Sequence, residues 1–346
     1  MRIAVNITTD SDGNWESAAT FAREADRLGA ESAWTGESWA YDAITPLAYL
    51  AARTDNIALG TGIIQIGTRS PANLAMTAMG MQSISDGRFR LGLGTSGPQV
   101  VEGWHGVSFA KPIQRTKEII EIVRLVTSGE RVSYDGDIYQ LPLPDGEGRA
   151  LRSSVPPVHV PVYVAALGPH NLELTGELAD GWIGGSFIPE TAEVFLKHIR
   201  AGAERSGRSI ADLDLQIPLS VEITDDVEEV GKRHARGYGF TFGAMGSLRN
   251  NFYKNAFARQ GFADEVNEVQ RLWMAGERDK ARDHVPVELA LKANLIGTPA
   301  MIQERIAIYR DAGINTLRVG IPGDGIESKL ETLGQIMDMV QETAPE

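Results

Sequence analysis

The chain has 346 residues, 42% hydrophobic and 23% charged, with a formal net charge of −13 at pH 7. That composition suits a globular protein, and the acidic balance argues against nucleic acid or an anionic membrane surface as a partner. The absence of cysteine excludes disulfides, thiolate metal sites and thiol nucleophiles.

The opening Arg2–Ile7 is a short apolar run that turns polar at once, too brief for a signal-peptide core. No apolar run of about 18 residues follows, so no spanning helix is expected and the expected location is cytoplasmic. After this first strand, Trp15–Leu28 carries Phe21, Ala25 and Leu28 on one helical face and stops at Gly29. Ser32–Thr35 is the second strand and Ile44–Arg53 its helix. Ile57–Ile64 is the third strand, followed by a helix over Asn73–Ile84. Phe89–Leu93 is the fourth strand, followed by a strong helix over Ile113–Val126. Strand then helix, four times over, marks parallel βα units.

A polar break comes next, with a hairpin over Arg131–Gln140 turning at Asp135–Gly136 and a loop over Leu141–Pro157. The alternation then resumes. Val162–Ala166 precedes a helix over Pro169–Leu178, and Gly181–Gly184 precedes one over Glu190–Ser206. Leu213–Val221 is the seventh strand, and Asn315–Gly320, followed by a helix over Ile326–Val340, is the eighth. Between the last two strands, Asp226–Gly237, Leu248–Gln260 and Glu265–Met274 read as inserted helices, ahead of an ordinary helix over Pro299–Ala312. The expected architecture is therefore α/β: one (β/α)8 TIM barrel over residues 1–346, with a helical insertion at about 224–295. A doubly wound open sheet is the alternative.

In a barrel the chemistry gathers where strands end. Glycine recurs there, in Gly36–Trp39, Gly60–Pro71, Gly92–Gln99, Ala165–His170 and Gly184–Ser186. Such a rim lets backbone N–H groups approach a large anionic ligand. Gly92–Gly97 also spells the dinucleotide fingerprint, but Pro98, Gly103 and Gly106 follow where a long helix should begin. The six histidines show no metal-binding spacing, and neither a GxSxG elbow nor a phosphate-binding Walker loop occurs. No metal is expected. Paired carboxylates stay open, since Glu37 and Glu102 both fall on the rim. What remains is a barrel whose chemistry a bound cofactor supplies.

Four segments resemble one family: Leu59–Pro71 (LGTGIIQIGTRSP), Gly87–Val107 (GRFRLGLGTSGPQVVEGWHGV), Tyr163–Gly185 (YVAALGPHNLELTGELADGWIGG) and Gly297–Val319 (GTPAMIQERIAIYRDAGINTLRV). They are similar to the luciferase-like monooxygenase superfamily, and within it to the actinobacterial class that uses the deazaflavin coenzyme F420. Ser96–Gly106 is the most discriminating piece. The resemblance implies a cis peptide at Gly62–Ile63, forming a bulge behind the cofactor ring. It implies that Thr95, Ser96 and Gly97 meet the ring edge or ribityl chain. Leu167, Gly168 and Pro169 would hold the phosphate, with Gly184 and Gly185 alongside. Glu37 and Trp39 would lie beside the ring. Sugar-phosphate-oxidising relatives have an Asp–His pair where Glu37–Ser38 stands, and a Glu where Gly97 stands, so that substrate is not expected.

The implied reaction is hydride transfer between the deazaflavin C5 carbon and a small organic molecule. His105 is the candidate acid/base, because imidazole titrates near pH 7. Glu37 is the second candidate, while Trp39 and Trp104 would wall the pocket. Two alternatives stand: an FMN-dependent monooxygenase on the same fold, and a flavin or deazaflavin carrier without turnover. Relatives commonly form dimers, and the helix bearing Met76, Met79 and Met81 could supply such a face.

Overall fold

The computed structural model describes residues 1–9, 13–245, 251–323 and 325–343. In chain order the elements begin with β1 (Arg2–Asn6), α1 (Trp15–Leu28), β2 (Ser32–Thr35), α2 (Ile44–Ala51), β3 (Ala58–Thr61), β4 (Ile64–Gln65) and α3 (Pro71–Ile84). They continue with β5 (Phe89–Gly94), α4 (Pro98–Val101), α5 (Pro112–Thr127), a hairpin of β6 (Tyr134–Asp135) and β7 (Gln140–Leu141), β8 (Val162–Ala165) and α6 (Pro169–Leu178). Then come β9 (Gly181–Ile183), α7 (Glu193–Arg205) and β10 (Asp214–Ile223). Helices α8 (Val227–Gly243), α9 (Phe252–Phe257), α10 (Ala263–Met274), α11 (Arg278–Asp283) and α12 (Val287–Ala293) separate β10 from β11 (Leu295–Gly297). The chain closes with α13 (Pro299–Asp311), β12 (Thr316–Gly320) and α14 (Ile326–Glu342).

Strands β1, β2, β3, β5, β8, β9, β10 and β12 pair in parallel, and β9 pairs back to β10, so the sheet closes into a barrel. Closure rules out the open doubly wound sheet. Helix starts are chemically marked. Asn14 accepts the N–H groups of Glu16 and Ser17 ahead of α1, and Ser70 and Thr298 cap α3 and α13, each followed by proline.

Period-two alternation sends Val5, Ala33, Leu59, Leu91, Trp182, Ile217 and Leu317 outward, into one core shared with the helices. The inward set is different. Ala4, Trp34, Tyr163 and Ile183 fill the barrel, with Trp34 and Tyr163 edge-to-face at 5.2 Å. Gly60 and Gly181 make room for these rings, because a Cβ at either would overlap Trp34 or Tyr163.

The N-terminal end of the barrel is closed by charge. Asp214 accepts from Arg2 Nη2 at 2.6 Å, Thr316 Oγ1 at 2.8 Å and Tyr163 OH at 2.9 Å. Glu31 is paired with Arg90 and accepts from Ser32 Oγ at 2.6 Å. Burial alone pushes the Glu31 carboxyl up, but the Arg90 hydrogen bond and charge, helped by Ser32, bring it below the ordinary glutamate range. A carboxyl lowered in the folded state stabilises above its unfolded pKa, near 4.3, and stops doing so as pH falls through the folded value. Glu31→Gln is therefore expected to be less stable than the parent at pH 7, the gap closing below about pH 4. Urea unfolding at both pH values checks this.

Several expectations are corrected. A one-turn helix, α4, does follow Gly97 directly. The last part of the loop over Leu141–Pro157, expected to help shape the pocket, is held away from the C-terminal mouth. Its hydrogen bonds (Val132 N to Leu151 O, Arg152 Nε to Gly129 O, Val158 N to Thr127 O) tie it to the last turn of α5. That turn lies at the opposite end, because α5 runs antiparallel to the strands. Of the methionines on α3, Met79 and Met81 are buried in the core, and Met76 alone of these three is exposed. The helix expected over Leu248–Gln260 begins outside the described residues. Its described part is α9 plus a π turn, Ala258–Phe262, broken by Gly261 at φ 101°. Residues 344–346 of the expected frayed tail lie outside the described residues too. Strand β11, three residues on the outer edge of β10, was not legible for want of length.

Candidate active site at the C-terminal mouth of the barrel

The mouth is built around one interruption. β3 and β4 both pair with β5, and the two residues between them, Gly62 and Ile63, stand off the sheet. Their peptide bond is cis. Gly62 N donates to Thr35 O at 2.6 Å, and Glu37 N donates to Ile63 O at 3.2 Å, so the segment is pinned to the end of β2. On the other side Thr61 Oγ1 bonds both Gly92 O and Gly92 N. A Cβ at Gly94 would meet the Ile63 side chain at 2.9 Å, so this glycine makes room for isoleucine.

Glu37 is buried and fully engaged. Oε1 accepts from Arg69 Nη1 at 2.7 Å and Gln65 N at 3.2 Å, while Oε2 accepts from Arg69 Nη2 at 3.0 Å and Ala43 N at 3.2 Å. A bidentate guanidinium pair with two more backbone donors engages both carboxylate oxygens within the protein. The expectation that Glu37 serves as acid/base or meets the cofactor is thereby corrected: it locks the rim loops after β2 and β4 together. Arg69, its partner, was missed, since no spacing rule links residues 37 and 69.

Beyond β5, Thr95, Ser96 and Gly97 are partly exposed on the rim, with Ser96 at φ 57°. Ser186, after β9, sits at φ 55°. Two non-glycine residues in the left-handed region on one rim are the kind of backbone strain that gathers at functional sites. Trp39, Trp104 and His105 are all exposed there. The His105 imidazole has no hydrogen-bond partner among the described residues.

The glycines after β8 and β9 divide by environment. Gly184 is buried, its N–H donates to Gln216 O at 2.8 Å, and a Cβ would overlap Trp182. It is a packing residue, which corrects its expected place in ligand binding. Gly168 and Gly185 face open space, with nothing within 4 Å of an added Cβ. Gly168 caps α6 without any side-chain cap, and Pro169 follows at the first helical position. The N–H groups of His170 and Asn171 thus lack intrahelical acceptors at an uncovered helix end, where an oxyanion is favoured.

The segment after α9 reaches over this rim. Arg259 Nη2 donates to Leu167 O at 2.5 Å. Gln260 bonds Ser186 O, Ile188 N and Thr191 Oγ1, at 2.7, 2.8 and 3.1 Å. Phe252 approaches Phe109 of the β5 rim at 6.4 Å. Sequence gave no signal for Arg259 or Gln260, which act only because the π turn aims them at loops far away in the chain.

These residues fit an elongated ligand with a flat ring and an anionic group. A backbone bulge lies at Gly62–Ile63, and uncovered N–H donors lie at Gly168–Asn171. Among the described residues no group of three acids, histidines or cysteines is placed to hold a metal. No described helix is long and apolar enough to cross a membrane.

Comparison with known proteins places the chain in a family. The family model described as luciferase-like monooxygenase matches residues 1–316. A Mycobacterium tuberculosis protein named as a coenzyme F420-dependent oxidoreductase is 35% identical over 88% of this chain and 90% of its own length. The 5,10-methylenetetrahydromethanopterin reductase of Methanolobus tindarius is 28% identical, covering 92% of this chain and 94% of its own. Among solved structures, the coenzyme F420-dependent tetrahydromethanopterin reductase of Methanopyrus kandleri superposes with a TM-score of 0.78. It covers 97% of this chain and 98% of its own at 22% identity, which speaks to the fold.

Proposed function

The chain belongs to the luciferase-like monooxygenase family, and from that premise we propose that it is a coenzyme F420-dependent oxidoreductase acting on a small organic substrate in the cytoplasm. The observation that carries the reading is the mouth itself: a backbone bulge at Gly62–Ile63 and an uncovered α6 N-terminus at Gly168, beside kinship with a relative named for this coenzyme.

Bound here, the deazaflavin would supply a carbon that gives or takes hydride. The chain's own residues do the rest. Gly62 and Ile63 support the ring, held by Thr35 and the Glu37–Arg69 lock. Thr95, Ser96 and Gly97 meet its polar edge or the ribityl chain. Leu167, Gly168, Pro169 and Gly185 bind the phosphate through backbone N–H groups at the start of α6. Trp39 and Trp104 cover the substrate, and His105 moves the proton. His105→Gln is expected to lower kcat about a hundredfold while leaving cofactor affinity unchanged. Steady-state rates beside a binding titration check this, and an unchanged kcat removes His105 from the mechanism. A homodimer is part of the reading, and Met76 and Ile84 on α3 are exposed apolar residues offered to it.

The deciding experiment titrates the protein with coenzyme F420 and with FMN, following cofactor fluorescence. Binding of the deazaflavin in the micromolar range or tighter, with FMN excluded, is the expected result. Binding of FMN alone overturns it in favour of oxygen chemistry. Tight binding without turnover across a substrate panel favours a carrier.

A further inference from the structure

Arg318 lies inside the barrel with no anion to meet it among the described residues. Alternation along β12 turns Leu317 and Val319 out to the core and leaves Arg318 facing in, between Ala4 of β1 and Pro218 of β10. The residue is only 6% exposed. Its guanidinium carbon stands 5.5 Å over the Trp34 ring, and Nη1 occupies the space that a Cβ on Gly62 would need. Nε and Nη1 have no hydrogen-bond partner, and neither end of the buried Gln216 amide has one.

The other charged or titratable groups of the barrel interior are committed to one another. Asp214 of β10 holds Arg2 of β1, Thr316 and the Tyr163 hydroxyl of β8, while Glu31, beside β2, holds Arg90 of β5. Among the described residues two arginines and two carboxylates cancel, and Arg318 is left over as an uncompensated cation. Burying such a charge is costly even after relaxation, and the cation–π contact with Trp34 offsets only part of that cost. Desolvation pulls the guanidinium down to about 10, which still leaves it charged at neutral pH. With the N-terminal end closed by the Asp214 and Glu31 pairs, its field opens toward the mouth, against the back of the Gly62–Ile63 bulge.

Resting on the assignment of a deazaflavin to this mouth, we propose that Arg318 sets the charge state of the bound ring, favouring its anionic form. The ring has a hydroxyl whose ionisation spreads negative charge onto the pyrimidinedione carbonyls. A cation shielded from water and free of carboxylates stabilises that anion more than solvent does. Arg318 is thus a positioning and tuning residue, and its effect is electrostatic.

The test is an absorbance titration against pH of coenzyme F420, free and bound, with the parent protein, Arg318→Gln and Arg318→Lys. In the parent, the bound ring is expected to ionise at least one pH unit below the free cofactor. Arg318→Gln should reverse this by a tenfold or larger change in acid dissociation constant, and Arg318→Lys should keep most of the shift. Thermal melts establish that the variants fold. Should Arg318→Gln fail to fold, the parent and lysine titrations decide alone. A bound ring that titrates like the free one, or alike in parent and glutamine variant, overturns the proposal while leaving the cofactor assignment intact. Failure of the parent to bind coenzyme F420 overturns both.

Discussion

Arg69→Leu is expected to lower the unfolding free energy by about 3 kcal/mol, at the lower end of what breaking a buried pair costs. The loss comes from the partner left behind. The Glu37 side chain is 8% exposed and that of Arg69 20%. Without the guanidinium the carboxylate keeps only the Ala43 and Gln65 N–H groups. It then stands as an uncompensated charge under the rim. Because Glu37 and Arg69 join the loops after β2 and β4, cofactor affinity is expected to fall more than tenfold as well. The double variant Glu37→Gln/Arg69→Leu removes the stranded charge and should recover part of the stability. Urea unfolding of the two singles and the double measures this coupling. A double no more stable than Arg69→Leu rules out the stranded-charge account.

The second large effect is at a contact between helices. A Cβ at Gly176 of α6 would overlap the Ile199 carbonyl oxygen of α7, and one at Gly202 of α7 would overlap the Glu173 carbonyl oxygen of α6. The two backbones touch through this glycine pair, and neither can yield without moving a helix. Gly176→Val is expected to destabilise by about 3 kcal/mol, the upper part of the overpacking range. It should also weaken cofactor binding, because α6 carries the uncovered N-terminus at its other end. Gly80, exposed in α3 with nothing near an added Cβ, is the control. There Gly80→Ala gains helix propensity of about 1 kcal/mol and loses no contact. Chemical denaturation of both variants separates packing from propensity, and two changes of the same sign contradict the argument.

The barrel was legible because its strands are short apolar runs between helices with plain start and stop signals. The closing pair β9–β10 follows from the count of units. The rim was legible only as a zone. Glycine at a strand end looks the same whether it admits a ligand, as Gly168 and Gly185 can, or a neighbouring ring, as Gly60, Gly181 and Gly184 do. Only the packing of Trp34, Tyr163 and Trp182 tells these apart. The Glu37–Arg69 pair and the reach of Arg259 and Gln260 are tertiary facts with no local trace. Arg318 did leave one, since period two in Thr316–Gly320 already sets a cation on the inward face of a barrel strand.

The ionic closure formed by Arg2, Asp214, Arg90 and Glu31 also governs traffic. A barrel stoppered at its base has a single door. Two ligands that share it could not pass each other, so under the proposed function the one seated deeper, against Ile63, would enter first and depart last. Under the proposed function, turnover in such a vessel would follow a compulsory order, with the outer molecule as the stopper for the inner one.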